Sequence, residues 1–321
     1  MGLGLCCYSL DDDITGDLLY KLTKYRHCIK GGSSKIYKLK IHEKLIVKKY
    51  KKQHKAFALN EITILKKLNN SDIHEYFPIF VKSEYHLGNY YLIMKDEHFY
   101  DAFSHFNSPR YITLPSKISI FNQILNAVHA LHKFGYCHLD IKPENIVLKK
   151  ISRRKANHLG INTNFNYIKD ELNYKSNKHL DNYYQVKLID FSGSKSFEQL
   201  KIIRPDSFIS TYGYTAPEYY YDVEIDEKFD VWSMGVILWE MIMGYAPFDS
   251  LSIQYIQEIT NFELFNPFKA NKTDLSKKPQ KLVEILKQMI EPEPTLRIST
   301  DKLLENKVFY KILKDNLEIV V

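Results

Sequence analysis

Cysteine is scarce, with four in 321 residues. So few thiols in so long a chain exclude a disulfide scaffold, and their spacing matches no zinc site. No apolar run reaches the ~18–20 residues that a membrane-crossing helix needs. The opening residues also lack the basic segment and long apolar stretch of a secretory signal, so a cytosolic or cytosol-facing location is the expectation. No internal repeat is visible, which argues against solenoids and propellers. One-sided charge is missing too. The formal net charge of +7 comes from scattered lysines, not from a basic stripe with interleaved aromatics, and does not point to nucleic acid. What the chain has is apolar mass: 45% of it is hydrophobic, enough for one large domain or two units with sizeable cores.

The most informative stretch is Cys137–Leu148, CHLDIKPENIVL. Asp140 is followed two residues on by Lys142 and five residues on by Asn145, with Pro143 stiffening the loop. The run Ile146-Val147-Leu148 reads as a strand that anchors it. A carboxylate that takes a hydroxyl proton, a cation beside a phosphate and an amide oxygen for a divalent metal are the groups phosphoryl transfer uses.

Further motifs follow the same order as the chain. Strand-like text at 21–29 and 36–41 flanks the turn Gly31-Gly32-Ser33-Ser34, and a third strand ends in Ile46-Val47-Lys48. Helical apolar spacing over 56–68 puts Glu61 one turn before Leu65, on the inward face. Strands at 77–83 and 90–94 lead to Met94. A helix is expected over 118–134, followed by His138 and the Asp140 loop. Val186–Ile189 then reads as a strand that delivers Asp190-Phe191-Ser192-Gly193. Next come Ser210–Glu218 (STYGYTAPE), the apolar helix Asp230–Gly244 (DVWSMGVILWEMIMG), amphipathic stretches at 281–290 and 300–306, and Arg297.

Taken in order, these segments resemble the eukaryotic protein kinase superfamily, Ser/Thr type, over nearly the whole chain. The resemblance implies an α+β, bilobal fold with the nucleotide between the lobes: an N-lobe over 20–94 and a C-lobe over 95–312, with an activation segment over 190–218. It implies ATP and Mg²⁺ (or Mn²⁺) as cofactors and protein Ser/Thr hydroxyls as acceptors. Asp140 is expected to accept the hydroxyl proton and Lys142 to neutralise the moving phosphoryl. Asn145 and Asp190 are expected to bind metal, and Lys48, set by Glu61, to hold the α/β-phosphates. Gly31 and Gly32 stand for the nucleotide flap, and Met94 for the back of the adenine pocket. His138, Phe191, Thr211, Glu218, Asp230 and Arg297 are the expected supporting residues, with Thr211 bonding Asp140 and Lys142, Arg297 holding Glu218, and Asp230 bracing the loop.

The departures are specific. Ile29 and Ser34 replace flap glycines, Leu139 replaces the usual arginine before Asp140, Lys95 sits where an acid is common, and Ser192 replaces the glycine after Phe191. Because every residue that touches phosphate, metal or proton is present, transfer is preferred to the alternative of a pseudokinase scaffold. The chain opens MGLGLCCYSL, where Gly2 with Cys6 and Cys7 reads either as a double-acylation signal within an N-terminal segment 1–19 or as a frayed terminus. Acylation is the favoured reading, and it would associate the protein with a membrane on the cytosolic face. Residues 149–185, rich in Asn, Lys and Tyr, are expected to be a low-complexity, mobile inserted loop, and 313–321 a tail. Substrate identity, upstream control and oligomeric state are not written in these motifs.

Overall fold

The structure, a computed structural model, describes residues 15, 19–20, 29–30, 33–40, 44–71, 74–101, 112–161, 165–172, 182–202, 210–221, 224–248, 260–261, 266–269, 274–306 and 308–309. The acylation candidates Gly2, Cys6 and Cys7, the flap candidates Gly31 and Gly32, and the 313–321 tail lie outside them. Among the described residues no helix is long and apolar enough to cross a membrane. The chain divides into two compact units, Met1–His98 and Phe99–Val321.

The first unit is built on an antiparallel sheet of β1 (Ile29–Lys30), β2 (Ser34–Lys40), β3 (Lys44–Lys51), β4 (Phe80–His86) and β5 (Asn89–Lys95), in the order β1-β2-β3-β5-β4. Side chains alternate along β3, so Leu45 and Val47 share one face while Lys48 and Tyr50 share the other. On the first face Leu45, Val47, Tyr37, Tyr91 and Ile93 form a cluster with Leu19, which is fully buried. A residue read as part of the N-terminal segment is therefore part of this core. On the other side, α1 (Lys55–Asn69) buries Ala58, Glu61, Ile62, Ile64, Leu65 and Leu68. The unit ends after His98 and not at Met94. Lys95 still pairs with Leu45 in the sheet, the Asp96 amide donates to the Lys44 carbonyl at 2.7 Å, and Lys44 Nζ lies 2.8 Å from His98 Nε2.

The second unit is mainly helical. α2 (Leu114–Lys133) starts at Thr113, whose side chain accepts from the Ser116 amide, and has Pro115 in its first turn. Strand β7 (Tyr136–Cys137) leads into the Asp140 loop. A small sheet of β6 (Tyr100–Asp101), β8 (Ile146–Ile151) and β9 (Tyr183–Leu188) follows, in the order β6-β8-β9. Its register sets the chemistry. Ile146 pairs with Leu188 and the Ile189 amide donates to the Asn145 carbonyl at 2.9 Å, so Asn145 and Asp190 emerge at the same end of one hairpin.

The 149–185 insert is corrected by the structure. Strands β8 and β9 extend into it, and it carries α3 (Arg153–His158), capped by the Ser152 side chain, and α4 (Phe165–Glu171). Ala156, Ile161, Phe165, Ile168 and Leu172 are buried, and the Phe165 and Tyr183 rings stack at 4.9 Å. Gln123 on α2 donates to the Tyr184 carbonyl and accepts from the Val186 amide. The Asn/Lys-rich composition hides these few apolar contacts, which are enough to hold the described part of the insert against the helical body.

Beyond β9, strand β10 (Lys195–Ser196) pairs with β7, and α5 (Phe197–Leu200) follows with a capping box from Ser196 and Gln199. The central helix α6 (Lys228–Met243) is buried nearly end to end, as its all-round apolar sequence requires, and stops at Gly244 with φ +83°. Lys117 and Lys278 donate to its last carbonyls, at Met241 and Ile242. Helices α7 (Gln280–Met289) and α8 (Thr300–Glu305) complete the described helices. Gly235 on α6 lets α7 approach: a Cβ there would meet Met289 Cβ at 2.9 Å and Ile290 Cγ1 at 3.0 Å. Gly235→Val is therefore predicted to destabilise the protein by about 2 kcal/mol or more through overpacking. A thermal melt unchanged from wild type would refute this close packing.

Candidate active site

The site in the second unit is built on a buried carboxylate. Asp230, at the start of α6, has no solvent exposure; Oδ2 accepts from the His138 amide and Oδ1 from the Leu139 amide, each at 2.8 Å, and His132 Nε2 lies 2.9 Å from Oδ2. Burial acts to raise this carboxyl, but the His132 ring and the amide donors outweigh it and leave it below the ordinary carboxylate range. The brace holds Leu139 at φ +67°, a left-handed conformation that branched side chains avoid. His132, Cys137 and Asp230 offer metal-capable atoms within 4.8 Å of one another. Both Asp230 oxygens already accept hydrogen bonds, however, and burial followed by the Asp230 charge pushes the Cys137 thiol well up, so this cluster acts as a brace.

From this fixed backbone Asp140 enters a closed set of hydrogen bonds. Thr211 Oγ1 donates to Asp140 Oδ1 at 2.6 Å and accepts from Lys142 Nζ at 2.7 Å, while Lys142 Nζ lies 2.9 Å from Asp140 Oδ2. Asn145 Nδ2 donates to the Asp140 carbonyl at 2.7 Å and to Oδ2 at 3.0 Å. The structure thus brings Asp140, Lys142, Asn145 and Thr211 together. With its NH₂ group committed to Asp140, Asn145 has its amide oxygen to offer a cation.

Asp190 follows β9 with φ +66°. Ser192 donates to its Oδ1 through Oγ at 2.6 Å and through its backbone N at 3.4 Å. The turn is pinned to the catalytic loop: Phe191 is fully buried with its ring edge-on to His138 at 5.3 Å, His138 Nε2 lies 3.0 Å from the Ile189 carbonyl, and Ser194 Oγ donates to the His138 carbonyl. A carboxylate and an amide oxygen leaving one hairpin end form an all-oxygen donor set, which fits a hard divalent ion such as Mg²⁺.

In the first unit Lys48 and Glu61 form a buried ion pair, with Nζ 3.0 Å from Oε2 and 3.2 Å from Oε1. Tyr50, two residues along β3, donates its hydroxyl to the same carboxylate, so two donors from one strand fix Glu61. Met94 is buried in β5 opposite Ile46.

Two further carboxylates shape the segment after Thr211. Glu218 is held by Arg297 in a buried bidentate pair, NH1–Oε1 at 2.6 Å and NH2–Oε2 at 2.8 Å, as the motif reading expected. Glu240 on α6 accepts from Tyr214 Oη at 3.0 and 3.2 Å. Sequence reasoning missed Tyr214, Glu240, Tyr50 and His132. The signal for Glu240 was an acid inside a helix that is otherwise apolar all round, a position where a carboxyl needs a donor. Burial pushes Glu240 up to about 7; the Tyr214 hydrogen bond works against this and the Glu144 charge reinforces it.

Comparison with known proteins agrees with this geometry. The protein kinase domain model matches residues 22–309. Calcium-dependent protein kinase 4 of Plasmodium falciparum is 27% identical over 290 residues, covering 88% of this chain and 46% of that protein. Serine/threonine-protein kinase cot-1 of Neurospora crassa is 32% identical over 139 residues, covering 39% of this chain and 23% of that protein. Sperm motility kinase 2B of Mus musculus is 29% identical over 179 residues, covering 55% of this chain and 30% of that protein. The chain spans less than half the length of these curated relatives. It belongs to the protein kinase domain family, whose bilobal α+β fold its β-sheet unit and helical unit reproduce, and membership implies ATP and a divalent metal.

Glu240 gives a pH signature. Its carboxyl stays protonated in the folded protein up to about 7, while in the unfolded chain it ionises near the ordinary 4.5. Between those values the folded state binds the extra proton, so this group lowers stability as pH rises. Glu240→Gln removes the term and keeps an acceptor for Tyr214. The variant's melting temperature relative to wild type is expected to climb steadily from about pH 5 to about pH 8. Parallel melting curves across that range would sink the assignment.

Proposed function

We propose that this chain is a protein serine/threonine kinase that transfers the γ-phosphoryl group of ATP to protein hydroxyls. The observation that carries the proposal is the closed set Asp140–Thr211–Lys142 with Asn145 attached. It leaves a carboxylate positioned to take a hydroxyl proton and a lysine positioned beside it. Thr211, in the motif pattern of Ser/Thr-specific relatives, is the residue that ties the two together.

In this mechanism Asp140 orients the acceptor hydroxyl and receives its proton as the oxygen attacks the γ-phosphorus. Lys142 offsets charge on the three equatorial oxygens in transfer. Asn145 and Asp190 supply the oxygens that hold the divalent cation. That cation, once bound, supplies charge neutralisation to the phosphates. In the first unit Lys48, aligned by Glu61 and Tyr50, holds the α- and β-phosphates, and Met94 borders the adenine. The test is transfer from Mg·ATP to a generic basic protein and to the chain itself. Asp140→Asn is expected to lower kcat by about 10²–10⁴-fold. Lys48→Met and Asp190→Asn are expected to abolish detectable turnover. Wild-type protein that binds Mg·ATP without transferring would favour the scaffold reading, and full turnover by Asp190→Asn would refute its metal role.

Two finer points belong to the same proposal. Leu139 stands where relatives carry an arginine that pairs with activation-segment phosphate, and leucine makes no charge-assisted bond. Phosphatase treatment is therefore expected to leave the rate unchanged; a large loss that maps to Ser207, Ser210 or Thr211 would count against this. Gly2, with Cys6 and Cys7, is proposed to carry acyl chains that tether the protein to a membrane on its cytosolic side. One chain binds only marginally, so two signals would be needed for stable anchoring. Gly2→Ala is expected to move the protein from the membrane pellet to the supernatant, and unchanged pelleting would remove the tether from the proposal.

A further inference from the structure

Ser192 occupies the place of a motif glycine, and its hydroxyl is engaged. We propose that Ser192 is a positioning residue that fixes the rotation of the Asp190 carboxylate so that it accepts the divalent cation without rearrangement. The proposal rests on the kinase reading above and adds a residue that the family motif does not contain.

Three observations carry it. First, the Ser192 Oγ to Asp190 Oδ1 distance is 2.6 Å, in the range of a hydroxyl donating to an ionised carboxylate, whereas the backbone N of Ser192 reaches the same oxygen at 3.4 Å. A glycine would supply only the longer contact. Second, Asp190 has φ +66°, a conformation that aspartate tolerates best when its side chain bonds locally. The hydroxyl two residues on is such a local donor. Third, neither Ser192 nor Gly193 has positive φ, so the backbone here does not need glycine and serine sits without strain.

The neighbours narrow the role further. Phe191 is fully buried beside His138, the Ser194 amide donates to the Phe191 carbonyl at 3.2 Å, and the Ser194 hydroxyl donates to the His138 carbonyl at 3.3 Å. Both flanks of the turn are pinned by these contacts. Within this pinned turn, the Ser192 hydroxyl acts on the rotation of the Asp190 side chain. A structural role alone would leave metal affinity unmoved; a positioning role would not.

The experiment compares wild type, Ser192→Ala, Ser192→Gly and Ser192→Thr in the full chain. Mg²⁺ affinity is measured by calorimetry at saturating ADP, and amide hydrogen exchange is followed over residues 190–194. Ser192→Ala and Ser192→Gly are expected to weaken Mg²⁺ by about five-fold, the scale of one net hydrogen bond. Exchange over the turn should accelerate in both. Ser192→Thr, which keeps the hydroxyl, should restore both readouts. In turnover, the half-saturating Mg²⁺ should rise by a larger factor than kcat at saturating Mg²⁺ falls. Equal or tighter Mg²⁺ binding by Ser192→Ala would overturn the proposal, as would unchanged exchange. Wild type that binds no Mg·ADP would instead fail the kinase reading, and the exchange comparison would still decide whether Ser192 holds Asp190.

Discussion

The catalytic loop depends on a carboxylate that never meets water. Asp230 is wholly buried, and its carboxylate is met by two backbone amides and the His132 ring. Such a group is expensive to bury unless every lone-pair direction in use meets a donor. The His138 and Leu139 amides satisfy it only if the loop takes one backbone course, with Leu139 at positive φ. The strain at Leu139 and the desolvation of Asp230 are thus offset by the same pair of hydrogen bonds. Asp140 follows directly, so its position is inherited from the start of α6, a helix buried nearly end to end.

The same logic separates the other acids. Asp140 is met by a hydroxyl, an ammonium and an amide, all within hydrogen-bond distance, and stays partly open to solvent. Glu61 sits in a dry setting with Lys48 and Tyr50, and Glu218 with Arg297, so each buried carboxylate has a cationic partner fixed against it. Glu240 is raised by burial, against the Tyr214 phenol that donates to it and with the Glu144 charge beside it, and no cation is paired with it among the described residues.

Much of this was legible in the sequence because short motifs encode local geometry. The Asp140–Asn145 spacing and the IVK strand end with Glu61 on the next helix are fixed by residue identity at short range, whereas the pairing of Glu218 with Arg297, 79 positions apart, was implied by the family resemblance; the structure brings each group together within its own unit. Other features depend on tertiary contact. Tyr50 reaches Glu61 because β3 alternates faces, a fact that becomes specific only once α1 covers that face. His132 meets Asp230 across 98 positions of sequence, which no local pattern signals. The insert was misread for a compositional reason: its buried Ala156, Ile161, Phe165, Ile168 and Leu172 are diluted among Asn and Lys, so their spacing does not stand out. Leu19 was assigned to a terminal segment because one leucine carries no period, although the sheet gives it a fully buried place.

Two of the departures from the family pattern, Leu139 and Ser192, fall in one connected part of the second unit. Leu139 is buried and its amide is held by Asp230; Ser192 is bonded to Asp190; and His138, between these two segments, touches Phe191 and the Ile189 carbonyl while its own carbonyl receives Ser194. In the family pattern the arginine at the first position couples the loop to a phosphate, and the glycine at the second lets the metal turn swing. This chain replaces the charged coupling with an apolar side chain and the mobile residue with a hydroxyl tie. Both changes act in one direction: they remove a way for the site to respond and add a contact that holds it. Under the proposed function, a site made in this way is set more by the fold than by a phosphate-dependent switch.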